Sequence, residues 1–148
     1  MPKNYDPQEV EPQLIDMWME AGAYRRSKGV GDCTVTIPPP NVTGMLHMGH
    51  ALDDTIQDTI VRYNRMKGYS TRWILGTDHA GIATQTKVDK KLKSEGISRL
   101  EIGREKFIDA CWDWTHEYGG IIVDQIKRMG CSVDFEGERF TMDPGYAK

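Results

Sequence analysis

Pro38, Pro39 and Pro40 follow directly on Ile37, and this triplet constrains the chain more than any other stretch. The run before it, Cys33 and Thr34 to Ile37, is β-prone. Three residues without an N–H cannot continue a central ladder, so the strand must stop there. Beyond Asn41, Val42, Thr43 and Gly44, the last of which can take a positive φ, the positions Leu52, Thr55, Ile56, Thr59, Ile60, Tyr63 and Met66 recur at three-and-four spacing. That spacing predicts an amphipathic helix ending at Gly68. His47 and His50 then fall on one face of its first turn.

A strand end, a stiff turn and a helix start make a place to hold an anion. Free amide protons and the positive end of the helix dipole favour negative charge there. Two imidazoles add donors whose protonation can follow the charge on a phosphate. Gly49 puts no side chain between them, so a flat ring can lie against the backbone, and a nucleoside triphosphate satisfies all three features. Histidines at a helix start also serve as caps or surface residues. A helical zinc pair favours a separation of four with a glutamate following the first histidine, which His47 lacks, so no metal is expected.

Thr71, Trp73, Ile74 and Leu75 predict a second strand, and strand, helix and strand in so short a span read as a βαβ unit with parallel pairing. Ligands of such sheets bind beyond the carboxyl ends of the strands. Gly76, Thr77, Asp78, His79, Ala80, Gly81, Ile82, Ala83, Thr84 and Gln85 are therefore expected at the same crevice as His47. The Asp78 carboxylate can pair with the α-ammonium of an amino acid, or it can cap a helix starting near His79 or Ala80. His79 either supports the site from behind through a hydrogen bond or closes the turn.

The remaining segments read as support. Asp6, Pro7 and Glu9 signal a helix start, with Pro12 delaying the regular helix, and Leu14, Ile15, Met17, Trp18 and Ala21 give its apolar face. Gly22 to Asp32 is a loop, and a helix from Thr84 to Ser94 buries Val88 and Leu92 and stops at Gly96. Lys87, Lys90, Lys91 and Lys93 interleave with Asp89 and Glu95, which fits a solvated face better than a nucleic-acid patch. A long helix is expected from Arg104 to Met129, bent or closely approached at Gly119 and Gly120, with Trp112, Trp114 and Tyr118 in the core. After Gly130, Ser132 to Phe135 and Arg139 to Met142 read as two extended segments joined by Glu136, Gly137 and Glu138, and Asp143, Pro144 and Gly145 as a turn.

The 148 residues suit a single core, and 39% apolar with 28% charged residues place the chain among globular proteins. A net charge of −3 supplies no broad basic field for nucleic acid. Cys33, Cys111 and Cys131 are widely spaced and odd in number, which suggests neither a disulfide framework nor a zinc knuckle. A polar N-terminus, with no apolar run near the ~20 residues of a membrane span, gives no membrane partner and a cytoplasmic setting as the expectation.

The stretch Pro40 to His50, PNVTGMLHMGH, resembles the first signature of the class I aminoacyl-tRNA synthetases, and in its extended form the valyl-tRNA synthetase branch. GTDHAGIATQ from Gly76 to Gln85 resembles the same branch, as does the stretch from Arg104 through Trp112, Gly120, Gln125 and Asp134 to Phe140, Thr141, Met142 and Asp143. The resemblance implies an α/β fold, the first half of a Rossmann-type parallel-sheet nucleotide-binding domain with an N-terminal helix. It divides the chain into residues 1–32, helix and lead-in, and 33–148, the half domain cut before the editing insertion. It implies an enzyme that joins valine to ATP, with Mg²⁺, as valyl-adenylate and passes valine to tRNA(Val).

In that family reading His47 and His50 donate to the phosphates, Gly49 makes room for adenine, and Thr43 and Gly44 shape the loop. Pro39, Pro40, Asn41 and Asp78 line the amino acid pocket, with Gly76 and His79 supporting it. The lysine-rich KMSKS signature is absent from these residues. The segment alone is therefore expected to be at most a weak binder of ATP and amino acid with few tRNA contacts. A small nucleotidyltransferase with the same His-x-Gly-His pattern and a non-catalytic synthetase-like binding module are the alternatives.

Overall fold

The computed structural model describes residues 4–25 and 28–146. Along the chain run α1 (Pro7–Glu20), β1 (Asp32–Thr36), α2 (Met48–Met66), β2 (Ser70–Thr77), α3 (Gly81–Ser94), α4 (Arg99–Arg128) and β3 (Asp134–Phe140). The strands form one sheet in the order β1-β2-β3. β1 and β2 pair in parallel from Asp32 opposite Ser70 to Thr36 opposite Ile74, with α2 as the crossover, so the expected βαβ unit is present. β3 runs the same way as β2, because Arg72 meets Asp134 early in both strands and the Thr141 N–H donates to the Thr77 carbonyl at their ends. No helix among the described residues is long and apolar enough to cross a membrane.

The chain divides into two compact units. The first takes the described residues of Met1–Pro38, His47–Leu75 and Asp124–Glu138; the second takes Pro39–Leu46, Gly76–Val123 and the described residues of Arg139–Lys148.

In the first unit α1 begins at Pro7, not at Pro12. The Asp6 side chain accepts from the Gln8 N–H and Pro7 occupies the opening turn, where a missing N–H costs nothing. Its inward residue is Ile15, while Met17 and Ala21 lie exposed.

α2 departs most from expectation. It starts at Met48 and ends before Gly68, whose φ of +82° stops the helix as predicted. The face that packs is the polar one. Leu52, Ile56, Ile60, Tyr63 and Met66 are between 49% and 88% exposed, while Asp54 and Val61 are buried. The Asp58 carboxylate accepts from the Ser132 N–H and hydroxyl and from Arg62 Nε. Arg62 and Arg65 reach the carbonyls of Gly130 and Ser132, and Trp73 donates its indole N–H to Gln57. Charge-assisted bonds to the turn after α4 thus decide which side faces in.

β3 is one uninterrupted strand where two segments and a joining turn were expected. Gly137 sits buried within it, and a Cβ there would lie 2.5 Å from Arg72 Nη2 and 2.7 Å from Asp134 Oδ2. The glycine makes room for that ion pair instead of making a turn.

In the second unit α3 opens at Gly81 and carries buried Thr84 and Val88, with its lysines exposed and Lys93 paired to Asp89 at 2.7 Å. α4 breaks at Gly103, where φ is +80°, and continues helically through Gly119 and Gly120. A Cβ at Gly119 would meet only Val42, at 3.9 Å, so the expected bend is displaced to Gly103, which needs a left-handed backbone. Trp112 is 37% exposed and Trp114 and Tyr118 are half-buried, so these rings flank the core without filling it.

Candidate functional site

Two clusters of the expected site residues lie in the two units. In the first, His47 is the N-cap of α2 and His50 its third residue. Their side chains close a reciprocal capping box: His47 Nδ1 accepts from the Gly49 N–H at 3.1 Å, and His50 Nδ1 accepts from the His47 N–H at 3.1 Å. The rings lie 3.9 Å apart between centroids. A nitrogen that accepts carries no proton, so each neutral ring holds its hydrogen on Nε2, on the edge away from the cap.

His47 is exposed and His50 half-buried, which presents two ring donors at a helix N-terminus. The His50 imidazole sits below its ordinary 6.5, first through burial and then through the neighbouring His47 charge, against a weaker opposite pull from Asp53. Part of the amide donation expected of this turn is spent on the rings. The space beside Gly49 is also occupied: a Cβ there would stand 2.9 Å from His47 Cε1. Gly44 keeps a negative φ and has open space around it.

In the second cluster the proline turn is stitched to the end of β2. The Asp78 N–H donates to the Pro40 carbonyl at 2.8 Å and the Val42 N–H to the Asp78 carbonyl at 2.9 Å, so Asn41 pairs with Asp78 as an isolated parallel bridge. Pro40 and Val42 are buried, Pro39 and Asn41 exposed. Thr43 closes a tight turn on the Asn41 carbonyl at 2.7 Å, and Trp114 Nε1 donates to the Val42 carbonyl at 2.8 Å. Gly76 lets strands and turn approach: a Cβ would sit 3.2 Å from the Arg139 carbonyl and 3.8 Å from Pro39 Cγ.

Asp78 does not cap α3. The cap position is Ala80, with φ of 51°, and no side chain bonds there. The half-buried Asp78 carboxylate instead accepts from the Thr141 hydroxyl at 2.9 Å, with His79 Nδ1 at 3.2 Å. His79 also borders a cavity of about 350 Å³ walled by Thr84, Phe107, Trp112, Phe140 and Met142. Thr141 and Trp114 are structural partners that local spacing could not reveal, because each meets residues more than 60 positions away. Among the described residues no group of three or more His, Cys, Asp or Glu side chains is placed to hold a metal ion.

A family model described as tRNA synthetases class I (I, L, M and V) matches residues 13–148. The chain belongs to this family. Among relatives of this class I synthetase segment is the valine–tRNA ligase of Fusobacterium nucleatum subsp. nucleatum, 50% identical over 145 residues, covering 97% of this chain and 16% of the relative. The valine–tRNA ligase of Porphyromonas gingivalis is 54% identical over 140 residues, covering 94% of this chain and 16% of the relative. The synthetase segment thus spans about 16% of the length of these curated relatives.

Its fold is also that of the crystal structure of the ternary complex of Agrobacterium radiobacter K84 agnB2 LeuRS-tRNA-LeuAMS. That match has a TM-score of 0.76 at 19% identity, covering 97% of this chain and 17% of the other.

Proposed function

We propose that this segment is the N-terminal part of the catalytic domain of a valine–tRNA ligase. The complete enzyme activates valine with ATP to valyl-adenylate and pyrophosphate, then transfers valine to tRNA(Val). Residues 33–148 form the first half of the nucleotide-binding domain and residues 1–32 its lead-in. The observation that carries the reading is the capping box, which fixes both imidazoles with their Nε2 hydrogens free to donate.

Adenylation is an in-line attack of the amino acid carboxylate on the α-phosphorus, and it needs positioning and charge neutralisation in place of a protein nucleophile. The pre-set His47 and His50 donors meet negative charge as it moves toward pyrophosphate, without reorganising when the bond breaks. Mg²⁺ arrives with ATP and neutralises the remaining phosphate charge. Gly49 leaves the space that the His47 ring takes up in the capping box, while Thr43 and Gly44 shape the loop before it. At the other cluster the Asp78 carboxylate takes the valine ammonium, with Pro39, Pro40 and Asn41 around the apolar side chain and Gly76 and His79 behind. By itself the segment is expected to bind ATP and amino acid at most weakly. The α3 lysines are left with solvent, not tRNA.

Calorimetric titration with ATP and with a non-hydrolysable valyl-adenylate mimic tests the binding half. The catalytic half is tested by grafting these residues into the Fusobacterium nucleatum relative. The graft is expected to retain valine-dependent ATP–pyrophosphate exchange. Exchange with a different amino acid, or turnover of a small phosphate-bearing acceptor by the segment alone, would refute the reading.

A further inference from the structure

The second cluster turns on a residue with no assigned role. We propose that Thr141 is a positioning residue that aims the Asp78 carboxylate and fixes the tautomer of His79. The proposal rests, for its consequence on amino acid binding, on the reading of Asp78 as the ammonium partner. Thr141 is held by its own N–H, which donates to the Thr77 carbonyl at 3.2 Å. Its Oγ1 then lies 2.9 Å from Asp78 Oδ1, 3.0 Å from the His79 backbone N and 2.7 Å from His79 Nδ1, and Nδ1 is itself 3.2 Å from Asp78 Oδ1.

Proton counting settles the roles. A carboxylate only accepts, so the single hydroxyl proton goes to Asp78, and the His79 amide donates into an Oγ1 lone pair. With that proton spent, the close Nδ1 contact requires the imidazole to donate. His79 therefore carries its hydrogen on Nδ1, and its Nε2 is an acceptor when the ring is neutral. This is the opposite tautomer from His47 and His50. One hydroxyl thus ties the strand that follows α4 to both side chains at the end of β2, and holds one Asp78 oxygen while the other remains available to an ammonium.

Nitrogen-15 NMR of the imidazoles in the chain, with Thr141→Val and Thr141→Ser variants, reads the tautomer directly. Valine kinetics in the grafted ligase read the consequence. The parent is expected to show His79 protonated at Nδ1. Thr141→Val, equal in shape but without the hydroxyl, leaves the His79 Nδ1–H only the longer 3.2 Å contact to Asp78 Oδ1, so the Nδ1 signal should shift and the valine KM rise about tenfold or more with kcat little changed, as expected when a charge-assisted bond that orients the carboxylate is lost. Thr141→Ser should restore both.

An Nε2-protonated His79 in the parent chain, or an Nδ1 signal that does not move in Thr141→Val, overturns the proposal whatever the fate of the Asp78 reading. A shifted Nδ1 signal with an unchanged valine KM overturns the ammonium role of Asp78 and with it the functional half of the proposal. Measurement on the unsubstituted chain keeps the test decisive even if Thr141→Val fails to fold.

Discussion

Asp54→Asn should make the protein more stable at neutral pH and leave it unchanged in acid. Asp54 is 3% exposed on the inward face of α2, and its Oδ2 has no hydrogen-bond partner among the described residues. Burial, then the charges of Asp53 and Asp58, push its carboxyl from 3.8 up to about 6. Because the native value lies above the unfolded one, the folded state binds the proton more tightly. Stability from this group is complete below pH ~4 and is lost as pH rises through ~6.

At about 1.36 kcal/mol per pH unit, the penalty on the ionised side chain at pH 7.5 reaches about 3 kcal/mol. Asparagine has nearly the same shape and is never charged, so it removes that penalty. The midpoint for thermal unfolding, followed by circular dichroism, should rise by roughly 6–12 °C at pH 7.5, using about 2–4 °C per kcal/mol. At pH 4 the two proteins should coincide within about 1 kcal/mol, since both carry a neutral side chain there. A variant less stable at pH 7.5, or a difference that ignores pH, would refute the argument.

Other expectations follow from the same packing. The Cys131 thiol is pushed up to about 12 by burial and by Asp54 and Asp58, so iodoacetamide at pH 8 should leave it unmodified in the native chain and label it in urea; equal rates would contradict this. The His50 imidazole should titrate below 6.5 by NMR, and His47→Ala should raise it by removing a neighbouring positive charge; a value above 6.5 in the parent would show the ring is not confined as described. Val61→Ala on the inward face of α2 should cost about 2 kcal/mol, and Ile56→Ala on its exposed face no more than about 0.5 kcal/mol in denaturant unfolding; the reverse order would place the other face inside.

That last comparison marks where the sequence was readable and where it was not. The stop at Pro38, the end of α2 at Gly68, the parallel βαβ pairing and the helix ends at Gly96 and Gly130 were all legible, because each depends on a residue whose own backbone chemistry decides the outcome. The inward face of α2 was not. Apolar spacing pointed to Leu52, Ile56 and Ile60, whereas Asp58, Arg62 and Arg65 find their partners at Gly130 and Ser132, some 67 to 74 residues away. Gly137 and Gly103 show the same limit. One glycine clears space for an ion pair and the other takes a positive φ, and nothing adjacent in the chain tells these uses from a turn. At the site the motifs located the clusters, but the capping box of His47 and His50 and the hold of Thr141 on Asp78 emerged only from hydrogen-bond geometry.

Valine-dependent ATP–pyrophosphate exchange by the ligase graft carrying His50→Ala is the most direct measurement of what these residues do. Loss of the cap should cost about 1 kcal/mol of stability and leave the protein folded. Loss of the proposed donor to the phosphates should slow exchange by about a hundredfold or more. A folded variant exchanging at the parent rate would show that the imidazole pair only caps a helix.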